Sequence, residues 1–88
     1  MRVVWAPKAW EDYVHWQSRD QRIVARINVL IAEICRNPFH GTGKPEPLRG
    51  ILKGWWSRRI GQEHRLVYRV VGKGDSQSVE IIQCRYHY

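Results

Sequence analysis

The sequence predicts an α+β fold in which two N-terminal helices pack on a twisted antiparallel β-sheet. Apolar residues recur at the helical period over residues 7–37, whereas from residue 55 onward they alternate with polar residues at the period of a strand. Between these regions, residues 37–54 are rich in Gly and Pro and cannot hold a long regular element. Helices followed by strands in this order favour one helical layer on a sheet. At 88 residues the chain has the length of one domain, which we assign to residues 1–88.

The first third of the chain is predicted to contain a short strand, over residues 2–5, followed by two helices. Pro7 suits the first turn of a helix because its missing N–H is not needed there, so the first helix is expected over residues 7–17. Spacing at i, i+3, i+4 and i+7 assigns one face of this helix to the core and directs Asp12 elsewhere. The residues assigned to the core are Trp10, Tyr13, Val14 and Gln17.

The second helix has the clearest periodic signal in the sequence. Ser18 and Gln21 match the capping-box pattern, so we expect the helix to begin at Ser18. It is expected to end at Asn37, because Pro38 disfavours helical geometry in the residue before it. The predicted core stripe consists of Ile23, Val24, Ile27, Leu30, Ile31, Ile34 and Cys35.

Three strands are predicted after the Gly- and Pro-rich segment. The expected strands are residues 55–60, 64–71 and 78–86, joined by a turn at 61–63 and a hairpin loop at 72–77. Alternation places one of the neighbouring side chains Trp55 and Trp56 in the core and leaves the other partly exposed. In the preceding loop, Glu46 lies between two prolines that restrict the backbone. Long loops in small domains are uncommon unless they serve a function, so Glu46 is a candidate functional residue.

The charge of the chain predicts an anionic partner. Fifteen basic residues against eight acidic ones give a formal net charge of +7. The second half, residues 41–88, carries nine basic and four acidic residues (+5), and we expect the binding surface there. Eleven of the basic residues are Arg, whose planar guanidinium pairs with phosphates and stacks on bases. Nucleic acid is therefore favoured over a membrane surface, and an acidic protein fits the charge equally well.

The two cysteines and the N-terminus indicate the cellular compartment of the protein. Cys35 and Cys84 lie in apolar periodic segments without a second Cys or a His at ligand spacing, so we expect reduced thiols and neither zinc nor a disulfide. No segment approaches the ~20 apolar residues that span a bilayer, and the N-terminus has no long apolar stretch. A cytoplasmic protein without a membrane partner is expected.

The chain contains the side chains that metal-independent RNA cleavage requires. Such cleavage needs a base for the 2′-hydroxyl, an acid for the departing 5′-oxygen and cations for the charge on the phosphorane. Glu46 or His87 can act as the base, and His87 or a phenol as the acid. The available cations are Arg49, Arg58, Arg59 and Arg65. Each residue also has an ordinary structural interpretation: Glu46 as a solvated loop acid, His87 as a strand-end histidine, and the arginines as a charged face of the sheet. The residues alone therefore favour a nucleic-acid-binding domain and leave ribonuclease activity open.

The C-terminus strengthens the catalytic alternative. The apolar run over residues 79–84 leads directly into Arg85, Tyr86, His87 and Tyr88, so a strand is expected to hold His87 in place. A chain end that is held by a sheet can contribute a positioned imidazole to a site.

Five segments, in this order, give the chain a resemblance to the YoeB/Txe-type toxins of the RelE/ParE superfamily. They are WEDY at 10–13, KPEPL at 44–48, WSRRI at 56–60, EHRLVY at 63–68 and CRYHY at 84–88. The resemblance implies a RelE-like β-α-α-β-β-β fold and an mRNA interferase, an endoribonuclease that cuts mRNA in the ribosomal A site by attack of the 2′-hydroxyl, without a metal or another cofactor.

Carried over by position, the resemblance assigns roles to single residues. It makes Glu46 the general base, Arg65 the cation of the transition state, His87 the general acid or proton relay, and Tyr88 a positioning group. It also implies that Arg49 and Arg59 bind phosphates, as Arg58 is expected to do from its position in the basic strand. Family members often have Lys at position 49, and the guanidinium present here supplies charge but hardly a proton.

The partners that the resemblance implies are the 70S ribosome with its mRNA and an acidic, partly disordered antitoxin of the YefM/Phd type. The toxin–antitoxin complex is expected to repress its own operon, so operator DNA is bound only through that complex, and a homodimer is allowed. Two other functions remain open. One is inhibition of gyrase without enzymatic activity, as in the ParE branch, which lacks the set of Glu46, Arg65 and His87. The other is a plain nucleic-acid-binding module.

Overall fold

The structure is a computed structural model that describes residues 1–87. Within these residues, one five-stranded sheet carries two helices. The elements are β1 (Arg2–Trp5), α1 (Pro7–Gln17), α2 (Gln21–Arg36), β2 (Glu46–Pro47), β3 (Trp56–Arg59), β4 (Arg65–Val71) and β5 (Ser78–Gln83). Short 3₁₀ turns lie at Gly50–Leu52 and Gly74–Ser76. The α+β architecture with two N-terminal helices is confirmed.

The sheet is mixed rather than antiparallel. Its strand order is β1-β5-β4-β3-β2, and β1 runs parallel to β5, with Arg2 opposite Ser78 and Trp5 opposite Ile81. The other neighbouring strands are antiparallel, so the expected antiparallel sheet is wrong for β1 alone. The reason is topological: the chain leaves β1 through both helices and returns at the far edge of the sheet, and no local turn sets the direction of β1 against β5.

The last strand is shorter than the sequence predicted. β5 ends at Gln83, not at residue 86, and Tyr86 has a backbone φ of +67°, which no strand residue adopts. The N–H of Arg65 donates to the carbonyl of Tyr86 at 3.1 Å, so the C-terminal segment turns towards the start of β4. His87 is therefore carried by a turned segment rather than by a strand.

The predicted core face of α1 is wrong for Trp10, Val14 and Gln17, which are exposed, and right for Tyr13, which packs against the core. Ala9, Asp12 and Trp16 are the buried residues of this helix, whereas Trp10 and Val14 are 49% and 43% exposed. Trp10 instead packs on the outside of the helix, where the rings of Trp5, Trp10 and Tyr13 lie 4.8–5.9 Å apart.

Asp12 explains why the helix is rotated from the predicted orientation. Its carboxylate accepts the backbone N–H of Cys84 at 3.1 Å and forms an ion pair with Lys8. Trp16 donates its ring N–H to the carbonyl of Cys84 at 2.9 Å. A buried acid that satisfies backbone groups is invisible to a pattern that counts apolar residues.

The second helix agrees with the prediction except at its start. Asp20, not Ser18, is the N-cap, and its Oδ1 accepts the N–H groups of Arg22 and Ile23 at 3.0 and 3.4 Å. Ser18 instead donates to the carbonyl of His15 at 3.1 Å. The helix ends with Asn37 as its C-cap, and all seven residues of the predicted stripe are buried or half-buried in the core.

The two faces of the sheet have different chemistry. The face under the helices contributes Trp56, Leu66, Tyr68, Val79 and Ile81 to the core. By strand register, residues on the opposite face, which we call the helix-free face, are Glu46, Ser57, Arg59, Arg65, Val67, Arg69 and Glu80. No helix within residues 1–87 is both long and apolar enough to cross a bilayer.

Candidate active site

The helix-free face brings Glu46 onto the same surface as two of the predicted cations. Glu46 is opposite Ser57 in the pairing of β2 with β3, and Arg59 is opposite Arg65 in the pairing of β3 with β4. Two strand spacings, about 10 Å, separate β2 from β4. Glu46 and Arg65 are also offset by two residues, about 7 Å, along the strand direction, so they share a surface without being directly opposite each other. The centre of the face is closed, since Ser57 and Val67 are buried, while Glu46 and Arg59 are exposed.

Arg65 has a fixed guanidinium. Its side chain is buried, with a residue exposure of 9%, and Nη1 donates to the carbonyls of Gly61, Gln62 and His64 at 2.9, 3.2 and 3.1 Å. All three acceptors belong to the turn between β3 and β4. A cation that is already held in place does not have to be ordered when negative charge develops on a bound phosphate. Such preorganised charges are the ones that stabilise a transition state most effectively.

The C-terminal segment is held beside Arg65. The Arg65 N–H donates to the carbonyl of Tyr86 at 3.1 Å, and the Tyr86 N–H donates to Nδ1 of His64 at 2.7 Å. His87, the next residue, is exposed. The predicted acid is therefore attached to a residue whose backbone is bonded on both sides. Tyr88, the predicted positioning group, lies outside the described residues.

Helix α1 holds the other end of the same segment. Both backbone polar groups of Cys84 are bonded to α1, the N–H to Asp12 and the carbonyl to Trp16. The Cys84 thiol donates to the carbonyl of Ala9 at 3.6 Å, and burial raises its pKa to about 12. The chain is thus fixed at Cys84 and again at Tyr86, two residues on. Both cysteines are unpaired thiols within the described residues, with Cys84 buried and Cys35 half-buried.

Arg58 is not available for the phosphate contact that the sequence suggested. Its side chain is fully buried, and its guanidinium binds the loop that follows α2. It donates to the Tyr68 hydroxyl at 3.2 Å and to the carbonyls of Asn37, His40 and Thr42 at 2.8, 2.8 and 3.2 Å. Burial also raises the pKa of Tyr68. Arg58 faces the helices because it alternates with Ser57 and Arg59, so its role is to anchor a loop.

The remaining predicted cations are accessible. Arg59 is exposed on the helix-free face, and Arg49 is exposed just beyond β2, where it precedes the 3₁₀ turn. Besides Arg59 and Arg65, the helix-free face carries a third cation, Arg69, which was not predicted as a site residue. The Arg69 guanidinium lies 4.5 Å from the centre of the Trp55 ring and bonds Glu80 at 2.6 Å. Alternation predicted that one of the two neighbouring tryptophans packs against the core, and the structure shows that it is Trp56.

Sequence reasoning missed His64, to which it assigned no role. His64 has no ligand spacing and no periodic signal, and its importance depends on a contact with Tyr86, 22 residues away. Sequence reasoning also missed the contacts of Asp12 and Trp16 with Cys84. These two residues are four apart and so share one face of α1, and that spacing is the signal that could have been read for them. Within the described residues, no three His, Cys, Asp or Glu side chains come together as a candidate metal site.

Comparison of this fold with solved structures defines the class of the protein as a small toxin. A "YoeB/ParE toxin" structure from Agrobacterium tumefaciens superposes with a TM-score of 0.96 and 56% identity, each chain being covered completely. Structures of a YoeB dimer and of a heterotetrameric YoeB–YefM toxin–antitoxin complex, both from Staphylococcus aureus, have TM-scores of 0.87 at 43% and 44% identity. They cover 100% of this chain and 98% of the matched chains.

The family follows from the sequence comparison. The model of the YoeB-like toxin of bacterial type II toxin–antitoxin systems matches residues 5–88. "Toxin YoeB" of Streptomyces coelicolor is 56% identical over the full length of both chains. The chain therefore belongs to the YoeB-like toxin family.

Proposed function

We propose that this toxin is a ribosome-dependent endoribonuclease that cuts mRNA in the ribosomal A site. The observation that carries the proposal is the arrangement around Arg65. Its guanidinium is held by three carbonyls, its backbone binds the segment that presents His87, and its strand shares the helix-free face with Glu46. A base, a cation and an acid on neighbouring elements are the groups that RNA cleavage by the 2′-hydroxyl needs.

In the proposed reaction, the Glu46 carboxylate removes the proton of the 2′-hydroxyl, and the 2′-oxygen attacks the adjacent phosphorus. Arg65 stabilises the negative charge that builds on the non-bridging oxygens of the phosphorane. The bond to the 5′-oxygen breaks, and His87 donates a proton to that oxygen, leaving a 2′,3′-cyclic phosphate and a 5′-hydroxyl. Tyr88 is proposed to position the reacting phosphate. No atom changes its oxidation state in these steps, and no step is assigned to a metal or a cofactor.

The basic surface supports binding to the ribosome and its mRNA. Arg59 and Arg49 are exposed, and we propose that they bind phosphates on either side of the cleaved bond. The net charge of +7 also suits ribosomal RNA.

The same charge suits an acidic antitoxin. Because the S. aureus relative forms a complex with YefM, we propose a YefM/Phd-type antitoxin as the neutralising partner of this toxin. The complex is proposed to repress its own operon, with operator contacts made through the antitoxin. The S. aureus dimer supports a homodimer as one state of the free protein.

The proposal is tested on translating ribosomes with purified variants. Glu46→Gln, Arg65→Lys and His87→Gln should each lower the cleavage rate by ~10²- to 10⁴-fold, the usual contribution of one acid, base or oriented charge. Glu63→Gln is the matched control, since Glu63 is an exposed acid within the turn between β3 and β4 and has no proposed role. Antitoxin binding should be retained in all four variants. The midpoint of thermal unfolding should be retained in Glu46→Gln, His87→Gln and Glu63→Gln, and Arg65→Lys should lower it, because Lys cannot replace the bonds of the guanidinium to the turn carbonyls.

Assays on these variants and on the wild-type protein distinguish the competing functions. If a Glu46→Gln, His87→Gln double variant still cuts at the wild-type rate, the mechanism is refuted. If the wild-type protein blocks growth without cutting mRNA, and supercoiling by gyrase falls in its presence, the ParE-like function replaces it. Binding of RNA without cleavage or growth arrest would support a plain nucleic-acid-binding module.

A further inference from the structure

His64 bonds the C-terminal segment with its side chain. Nδ1 accepts the N–H of Tyr86 at 2.7 Å, which requires Nδ1 to carry no proton. The imidazole packs edge-on against Trp16 of α1, with ring centres 4.7 Å apart, and lies 5.9 Å from the Tyr86 ring. The ring is therefore fixed between the first helix and the segment that leads to His87.

The backbone of the same residue organises the Arg65 side. The carbonyl of His64 accepts the N–H groups of Ile60 and Gly61 at 3.0 and 3.4 Å, which closes the turn between β3 and β4. It also accepts Nη1 of Arg65 at 3.1 Å. His64 thus contacts both parts of the proposed site, the cation through its carbonyl and the C-terminal segment through its imidazole.

Tyr86 is the point at which this link matters. Its φ of +67° lies in the left-handed region, which an aromatic residue adopts only when its surroundings impose it. Three hydrogen bonds hold the backbone here: the Tyr86 N–H donates to His64, and the Tyr86 carbonyl accepts from the N–H of Arg65 and from Nε2 of Gln83 at 3.3 Å. Without the acceptor at His64, Tyr86 is expected to relax to a negative φ. Because Cys84 stays bonded to α1, the change would fall on the residues after it and move His87.

We propose that His64 is a positioning residue of the active site, whose Nδ1 fixes the backbone of Tyr86 and thereby the placement of His87 relative to Arg65. This inference rests on the proposed function for its catalytic part. Displacement of a reacting group by about 1 Å can cost 10²-fold in rate, so a positioning contact outside the chemistry is enough to control turnover.

Two variants separate the acceptor from the ring. His64→Asn retains an acceptor at the same number of bonds from the backbone as Nδ1 but lacks the aromatic ring. His64→Phe retains a ring for the contact with Trp16 and has no acceptor. His15→Phe is the matched control, because His15 also packs edge-on against Trp16, at 5.0 Å, from its position on α1. Should His64→Phe not fold, His64→Ala takes its place.

Two measurements are made on each variant. The first is hydrogen exchange of the Tyr86 amide in the free protein, followed by NMR. The second is single-turnover cleavage on translating ribosomes as a function of toxin concentration, which separates the maximal rate from the half-saturating concentration. His64→Phe should lose about tenfold or more in amide protection and ~10- to 10²-fold in maximal rate, with the half-saturating concentration within about twofold of wild type. His64→Asn and His15→Phe should stay within about threefold of wild type in both.

Each outcome has a distinct meaning. Wild-type maximal rate in His64→Phe, or a rate in His64→Asn as low as in His64→Phe, overturns the assignment of the acceptor as the positioning contact. Unchanged Tyr86 exchange in His64→Phe overturns it independently of any cleavage. If the wild-type protein does not cut RNA, the proposed function fails, and the exchange measurement alone decides whether His64 holds the segment.

Discussion

Cys84 combines a buried thiol with a backbone that joins the end of β5 to α1. The side chain is 0% exposed, and burial is the main cause that raises its pKa to about 12, followed by the neighbouring Asp12 carboxylate. In the unfolded chain the thiol has an ordinary pKa of 9.0. The folded state therefore binds the thiol proton more tightly than the unfolded state does.

This difference predicts a loss of stability at alkaline pH. Because the folded pKa is raised, the contribution of Cys84 is fully present below pH 9 and is lost as the pH rises from 9 towards 12. The loss should approach roughly 1.4 kcal/mol per pH unit over that window. Urea unfolding of wild type and Cys84→Ala at pH 8, 9, 10 and 11 measures it.

The control for this prediction is Cys35→Ala, which removes the half-buried thiol and leaves Cys84 in place. Cys35→Ala should follow the wild-type pH dependence, whereas Cys84→Ala should lose less stability between pH 9 and 11. Parallel curves for wild type and Cys84→Ala would show that Lys and Tyr titration, not the buried thiol, governs alkaline unfolding.

At the scale of an element, the loop that leads from α2 to β2 and Glu46 is organised from its N-terminal end by Arg58. The guanidinium binds three carbonyls of this loop, and Glu33 of α2 accepts the Thr42 N–H at 2.9 Å, the contact that chiefly lowers the pKa of Glu33. Gly41 is needed there, since a Cβ at this position would approach the Glu33 carboxylate to 2.5 Å and its φ is +122°. These anchors set the path of the chain towards β2 and Glu46.

Replacing Arg58 should therefore loosen the loop and lower the stability of the whole domain. Arg58→Met keeps the length of the side chain but removes a buried guanidinium that donates to three loop carbonyls and to the Tyr68 hydroxyl, which should cost about 3 kcal/mol. Arg58→Lys keeps the charge but cannot fork towards several acceptors, and we expect it to cost about 1–2 kcal/mol. Urea unfolding at pH 7 gives both values. Arg22→Met, at an exposed position of α2, should change stability by less than about 0.5 kcal/mol, and equal stability of Arg58→Lys and wild type would mean that a point charge suffices.

Local signals predicted the bounds of the elements better than they predicted contacts between elements. Pro7, Pro38 and the apolar stripe of α2 gave both helices to within three residues at each end, because these signals act through neighbouring residues. The rotation of α1 depends on Asp12 binding a backbone group 72 residues away, and the parallel pairing of β1 depends on the route of the whole chain. Neither is encoded in a local pattern.

In the candidate site, too, local patterns predicted some features and missed those that depend on contacts between distant residues. Alternation along the strands correctly separated Trp55 from Trp56 and puts Arg58 on the same face as Trp56, but it did not reveal that Arg58 binds a loop there. The turn at Tyr86 could not be predicted, because its left-handed φ is imposed by His64 and Arg65 rather than by its own residue type. The roles of Glu46, Arg65 and His87 remain predictions.

At the scale of the whole molecule, the proposed function assigns RNA binding to the helix-free face. The face carries Arg59, Arg65 and Arg69 together with the two acids Glu46 and Glu80, and Arg22 lies on the exposed side of α2. Arg69 is already paired with Glu80 and stacked on Trp55, and Arg65 is bound to carbonyls. Arg59 is therefore the cation of this face whose exposed side chain is best suited to a phosphate.

Removing Arg59 should change how binding depends on salt, not only how tight it is. Each phosphate contact in a single-stranded RNA complex contributes about 0.7 to the slope of log affinity against log salt concentration, because it releases condensed counterions. For single-stranded RNA with 2′-deoxyribose at the cleaved position, Arg59→Gln should reduce the slope by about 0.7, measured by fluorescence anisotropy between about 50 and 300 mM KCl. Arg22→Gln removes the same charge from α2 and should weaken binding slightly without a comparable change in slope. Equal slopes for the two variants would mean that RNA is attracted by net charge alone, and a larger effect of Arg22→Gln would move the binding surface to the helical side of the molecule.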